Sequence, residues 1–112
     1  MKKIEAIIRP ESIDLVRNAL GVAGVTGLMI SEIEGHGKQK GVVQQWRGEK
    51  YKVELIPKIK IDVVVKDTDA ERIVKTIIDN AKTGEIGDGK IFISSIEDAI
   101  RIRTGEKGEE AL

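Results

Sequence analysis

The chain has no cysteine among its 112 residues. That excludes disulfides, thiolate metal sites and cysteine nucleophiles. It also lacks an excess of either charge: Lys+Arg and Asp+Glu are both 19. Nucleic-acid binders usually carry a basic excess or a basic face, so composition gives no sign of that activity. Aromatics are scarce, with only Trp46, Tyr51 and Phe92. There is one histidine, His36. No apolar run is long enough to span a bilayer. The start, Met1-Lys2-Lys3-Ile4-Glu5, is charged and then alternates, without the apolar core of a secretory leader. A cytoplasmic protein is expected. High charge with few aromatics can signal disorder, but the regular Ile and Val patterns argue against it.

Those patterns predict a β-α-β-loop-β-α-β order over residues 1–112, read as one domain. Ile4, Ala6 and Ile8 alternate with Lys3, Glu5, Ile7 and Arg9, a strand signal. Pro10 and Glu11 suit a first helical turn. Ile13, Val16 and Leu20, with Leu15 and Ala19, make an apolar stripe that Gly21 and Gly24 end. Gly27 to Glu34 reads as a second strand. From Gly35 to Glu54 the pattern stops, and a loop this long in a small domain tends to be functional. Ile59, Ile61, Val63 and Val65 predict a third strand. Asp67-Thr68-Asp69 offers capping chemistry for a helix carrying Ala70, Ile73, Val74, Ile77, Ile78 and Ala81, stopped at Thr83-Gly84. Ile91 to Ile96 is a fourth strand. Ile100 and Ile102, alternating with Arg101 and Arg103, predict a short extended segment. Residues from about 105 to 112 read as a mobile tail. This order matches a ferredoxin-like βαββαβ fold: an antiparallel four-stranded sheet with two helices on one face. Ile7 and Val64 fall on the other face, which is expected to be covered by another subunit.

Four segments carry chemistry. Gly84-Glu85-Ile86-Gly87-Asp88-Gly89-Lys90 is a glycine-rich turn with a lysine, suited to surrounding phosphate oxygens with backbone N–H groups. It is not a Walker A loop: Ile91 stands at the magnesium-ligating hydroxyl position, and the segment runs from helix to strand. Arg101 and Arg103, on one side of an extended segment, would present two guanidinium forks to a polyphosphate. Gly35-His36-Gly37-Lys38-Gln39-Lys40-Gly41 is basic and glycine-rich but lacks the helix that a dinucleotide fingerprint needs. Trp46-Arg47-Gly48-Glu49-Lys50-Tyr51 places two of three aromatics, with an arginine, in a polar loop, the residue types of protein–protein hot spots. Each also has a bland reading, as a tight turn, a solvated face or local packing. No Ser-His-Asp or Cys-His set and no marked carboxylate pair is present, which favours a sensor over an enzyme.

Together these segments resemble the PII (GlnB/GlnK) signal-transduction family over essentially the whole chain. The most specific part is Thr83 to Phe92, Thr-Gly-Glu-Ile-Gly-Asp-Gly-Lys-Ile-Phe, followed by Ile100-Arg101-Ile102-Arg103-Thr104-Gly105-Glu106. Val25-Thr26-Gly27, Gln39-Lys40-Gly41 and Leu55-Ile56-Pro57-Lys58-Ile59-Lys60-Ile61 also match. The resemblance implies a homotrimer with ATP or ADP in the clefts between subunits. Gly87, Asp88, Gly89 and Lys90 would hold phosphates, with Arg101 and Arg103 supplied by the adjoining subunit. Gly37, Lys38 and Gln39 would close the other side. Asp62 and Val64 would line the base and ribose region, and Met29 stands where a nucleotide-contacting threonine is common. Gln39 would help coordinate Mg²⁺ on ATP, and 2-oxoglutarate would meet Gln39, Gly41 and Lys58. Residues from about 37 to 55 match the family's T-loop, which engages targets. Trp46 and Arg47 would contact the partner, with Arg47 where GlnK-type members enter the pore of an Amt-type ammonium transporter. Tyr51 stands at a uridylylation position.

Three positions depart from the family pattern. Met29 replaces a threonine, Lys38 replaces an arginine and forgoes its bidentate geometry, and Lys50 adjoins Tyr51 in an altered loop motif. Other readings remain: regulation of glutamine synthetase or another nitrogen-assimilation target, a nucleotide-dependent phosphotransferase using His36, and a metal-binding trimer of the CutA type. An RNA-binding ferredoxin-like domain needs aromatics on its strands, and Phe92 alone qualifies.

Overall fold

The computed structural model describes residues 1–38 and 53–112. Strand β1 (Lys2–Ile8) leads through a single 3₁₀ turn, Pro10–Ser12, into helix α1 (Ile13–Val22). Strands β2 (Met29–Lys38) and β3 (Val53–Val65) follow, then helix α2 (Asp67–Ala81), strand β4 (Lys90–Ser95) and a last 3₁₀ turn, Gly108–Ala111. The four strands form one antiparallel sheet in the order β2-β3-β1-β4. This is the expected ferredoxin-like arrangement, with both βαβ halves placing their helix on the same face.

The period-2 pattern decides what each face holds. Ile4, Ala6 and Ile8 of β1 and Ile59, Ile61, Val63 and Val65 of β3 are buried under the helices. Val16 and Leu20 of α1 and Ile73, Ile77 and Ala81 of α2 close the core from above. Leu15, expected in the α1 stripe, is 63% exposed. It lies one position before Val16, about 100° around the helix, on the outer side.

Helix α1 passes through Gly21 and stops at Gly24, whose φ of 94° is left-handed. The Gly24 N–H donates to the Gly21 carbonyl and the Val25 N–H to the Leu20 carbonyl, at 3.1 and 3.0 Å. That is a Schellman closure. Helix α2 differs from its expected start. Its N-cap is Lys66, with no side-chain cap bond. Asp67 and Asp69 lie in the first turn, where a carboxylate favours the positive end of the helix dipole. Asp67 pairs with the Met1 ammonium at 2.9 Å.

The central hairpin is longer than the apolar pattern indicates. Strand β2 continues through Gly35 to Lys38, paired residue for residue with β3 down to Val53. Main-chain hydrogen bonds carry this pairing, so it needs no alternation of side chains. The loop that was expected to begin near Gly35 therefore starts beyond Lys38.

On the open face of the sheet, directly opposed residues sit side by side. Met29 pairs with Asp62, Ser31 with Lys60 and Ile33 with Lys58. Glu5 lies between Asp62 and Phe92, and Ile7 between Lys60 and Lys90. Ile7 and Val64 are half-buried on this face.

Candidate functional site

The connection from α2 to β4 is built around one carboxylate. Asp88 accepts from the Thr83 hydroxyl at 2.5 Å, the Thr83 N–H at 2.9 Å and the Gly84 N–H at 2.8 Å. Arg9, from the end of β1, donates Nε to Asp88 at 3.2 Å and Nη2 to the Ile86 carbonyl at 2.8 Å. The Thr83 hydroxyl and N–H, then the Gly84 N–H and Arg9, hold the Asp88 carboxyl well below the usual carboxylate range, with slight burial opposing them. The side chain of Asp88 is thus committed to shaping the turn. Around it the turn exposes the glycine backbone of Gly84 and Gly89 beside the side chains of Glu85 and Ile86.

Glycine is required here for two separate reasons. Gly84, Gly87 and Gly89 have φ of 89°, 103° and 104°, a region that L side chains rarely adopt. At Gly89 a Cβ would also lie 1.7 Å from the Ile7 carbonyl oxygen. The turn is pressed directly onto strand β1, and only a residue without a side chain fits.

Lys58, on the open face of β3, reaches across and donates to the Gly87 carbonyl at 2.5 Å. Gly35, Ile56, Lys58, Gly87, Gly89 and Lys90 line one cleft of about 370 Å³, together with His36 and Phe92. Two lysines and a glycine-rich turn with left-handed residues give this cleft the chemistry that suits an anion. A second cleft, of about 500 Å³, lies elsewhere on the chain. It takes in Thr26, Gly27, Met29, Asp62, Val64 and Leu112. Asp62 is only 6% exposed, and its Oδ1 has no hydrogen-bond partner. Lys60 pairs with Oδ2 at 3.7 Å and Lys3 with Oδ1 at 3.8 Å, ion pairs too long to be hydrogen bonds. Lys60 is shared with Glu5 at 3.5 Å.

The family model for nitrogen regulatory protein P-II matches residues 1–106. The chain belongs to the P-II family. It is 50% identical to nitrogen regulatory protein P-II 2 of Methanothermobacter thermautotrophicus, over all of this chain and 97% of that one. It is 54% identical, over the full length of both chains, to the nitrogen regulatory proteins P-II of Nostoc punctiforme and of Cereibacter sphaeroides.

Within this P-II chain the expected site residues divide into two groups. Gly87, Gly89, Lys90 and Lys58 share the first cleft, and Met29, Asp62 and Val64 share the second. Arg101 belongs with the second group through its contact with Leu112. Arg101 and Arg103 do not lie side by side on an extended segment as expected. Ile100 makes a single bridge to Lys107, and residues 102–104 form a turn. Ile102 is fully exposed. Arg103 is exposed on the turn. The segment after Gly105, expected to be a loose tail, folds back as the returning arm of this hairpin. A run of alternating charge and isoleucine reads as strand, yet among the described residues it pairs only with its own returning arm, through the Ile100–Lys107 bridge.

Gly37 and Lys38 end strand β2. Gln39, Gly41, Trp46, Arg47 and Tyr51 lie outside the described residues, as does most of the expected T-loop. Arg9, which organises the Thr83–Lys90 turn, is not legible in the sequence. No local signal marks it, because its partner Asp88 is 79 residues away. Among the described residues, no helix is long and apolar enough to cross a membrane.

Proposed function

We propose that this P-II protein is a GlnK-type signal transducer. In this reading it senses ATP, ADP and 2-oxoglutarate and regulates an Amt-type ammonium transporter through its T-loop, with no catalysis of its own. The observation that carries the reading is the turn from Thr83 to Lys90. Its internal bonds leave glycine backbone and two lysines facing one cleft.

The residues fit a nucleotide. A turn already closed by Asp88 and Arg9 pays little ordering cost when phosphate arrives, which favours affinity. Lys90 supplies charge, and Lys58 needs only to exchange the Gly87 carbonyl for a carboxylate of 2-oxoglutarate. Asp62 Oδ1, buried and without a hydrogen bond, can accept from an amino or hydroxyl donor. A base or ribose offers both. Met29 and Val64 supply apolar surface beside it.

The two clefts have no lining residue in common. A nucleotide would be held by the phosphate cleft of one subunit and the Met29–Asp62–Val64 cleft of its neighbour, in a homotrimer closed over the open faces of the sheets. Gln39 would join the Mg²⁺ carried by ATP. Gly37, Lys38 and Gly41 would adjoin the phosphates and 2-oxoglutarate at the base of the T-loop. Trp46 and Arg47 would then meet the transporter at the cytoplasmic membrane face. A ligand shifts the loop only by its differential affinity for two loop states. MgATP with 2-oxoglutarate would favour one state and ADP the other.

Calorimetric titration with MgATP, with and without 2-oxoglutarate, on the unaltered protein and on Lys90→Ala tests this. Binding should tighten with 2-oxoglutarate and weaken roughly tenfold or more without Lys90, the scale of a lost charged hydrogen bond. Absence of nucleotide binding sinks the sensor reading and leaves the fold intact. A detergent-solubilised Amt-type transporter retained on the immobilised protein, and released by MgATP with 2-oxoglutarate, would support the target.

A further inference from the structure

Arg101 is already in use. Its Nη1 donates to the Glu106 carboxylate at 2.9 Å, and its Nη2 to the main-chain oxygens of Glu110 and Leu112 at 3.1 and 3.4 Å. The two terminal nitrogens of a guanidinium are the edge that grips a phosphate bidentately. Here both are taken by the chain's own last residues. Independently, Leu112 lines the cleft of Met29, Asp62 and Val64. One short segment therefore covers both the arginine and the apolar wall of the same half-site.

We propose that residues 106–112 are an internal competitor for the nucleotide, with the Glu106 carboxylate standing in for a phosphate on Arg101 and Leu112 occupying part of the base cleft. The proposal rests on the nucleotide reading above and adds a control that the reading alone does not contain. Binding must first release the tail, so its affinity is set partly by the sequence after Thr104.

The geometry suits a weak latch. The Arg101 and Glu106 side chains are 34% and 39% exposed, and ion pairs that open contribute little. A polyphosphate with several charges displaces one carboxylate. The hairpin stem does not need to open. The Arg101 N–H donates to the Glu106 carbonyl and the Gly108 N–H to the Ala99 carbonyl, both at 2.9 Å. Gly108, with φ of 70°, is the natural pivot between this fixed stem and the 3₁₀ turn that carries Leu112.

The test is MgATP titration of the full chain against Glu106→Ala and Leu112→Ser, with Lys90→Ala as control. Both tail positions are open enough to leave the fold intact. Each tail substitution should tighten MgATP binding about two- to fivefold, the scale of one exposed ion pair or one half-buried leucine, while Lys90→Ala weakens it. Amide exchange gives a second readout. The Leu112 N–H, donated to Glu109 at 3.1 Å, should lose protection when MgATP binds. Unchanged or weaker affinity in both tail variants, with the Lys90 dependence intact, overturns the latch and leaves the nucleotide site standing. Unchanged Leu112 exchange on saturation does the same. No MgATP binding by any of the proteins removes both.

Discussion

Replacing Gly89 by alanine should be far more damaging than replacing Gly84, although both sit in the same turn at nearly the same φ. Gly84 has φ of 89° and open space around the place a Cβ would take. Gly84→Ala therefore isolates the conformational cost, about 1–3 kcal/mol for a non-glycine residue held in a sparsely populated region. Gly89 has φ of 104° and adds a collision, with the new Cβ 1.7 Å from the Ile7 carbonyl oxygen. That atom is backbone of a central strand and cannot swing aside. Relief requires the turn to lift off β1 or β1 to bend, which adds roughly 1–3 kcal/mol, as overpacking does elsewhere. Gly87 is intermediate: its Cβ would meet the Arg9 guanidinium at 3.2 Å, and a side-chain end can move. The order of stability should be Gly84→Ala, then Gly87→Ala, then Gly89→Ala. Guanidinium unfolding followed by circular dichroism reads it, at one fixed protomer concentration because assembly would shift the midpoint. MgATP affinity should fall in the same order, most steeply at Gly89. Equal midpoints for Gly84→Ala and Gly89→Ala would refute the claim that the turn is pressed onto β1.

The Asp88 carboxyl is held below its ordinary value in the folded chain. A depressed carboxyl contributes stability above the unfolded-state value of about 3.9 and loses it as pH falls through the folded value. Asp88→Asn should therefore reduce stability at neutral pH and flatten the fall below about pH 4, seen by comparing thermal midpoints across pH. Ile77, 1% exposed beneath α2, should cost about 2–5 kcal/mol as Ile77→Ala, measured by urea unfolding.

The core strands are legible in sequence because burial on one face forces alternation. Ile59, Ile61, Val63 and Val65 all face the helices, and their periodicity states it directly. The β2–β3 extension is not legible. Beyond Ile33 on one strand and before Ile59 on the other, pairing is held by main-chain bonds and the side chains are free to be glycine, glutamate or lysine. Leu15 shows the converse: an apolar residue beside the stripe is not thereby in the core. For the site, the Thr83–Lys90 turn announces itself because left-handed φ and close backbone approach both demand glycine, and glycine is visible. Its supports are not. Arg9 looks like any strand-end arginine until topology brings β1 beside the α2–β4 turn. Arg101 looks free until Glu106 folds back onto it. Long-range pairs of common residues leave no local trace.

The division of the expected residues between two clefts has a consequence that no single-chain site would share. Lys58 and Lys90 line one cleft and Asp62 the other, with Arg103 exposed on the turn after Arg101. If a complete site needs one half from each of two copies, two damaged proteins can repair one another. A Lys58→Ala/Lys90→Ala chain has a broken phosphate half and an intact base half. An Asp62→Ala/Arg103→Ala chain has the reverse. Each alone should bind MgATP poorly. Unfolded together in equal amounts and refolded, they should form mixed cyclic assemblies in which about a quarter of the interfaces join the two intact halves. Calorimetry on the mixture should then show about a quarter of the sites of the unaltered protein, at near its affinity. Recovery that is absent although mixed assemblies are demonstrated by mass spectrometry would place the whole site within one chain. The open face of the sheet, with Lys60 shared between Glu5 and Asp62, would then need a different occupant.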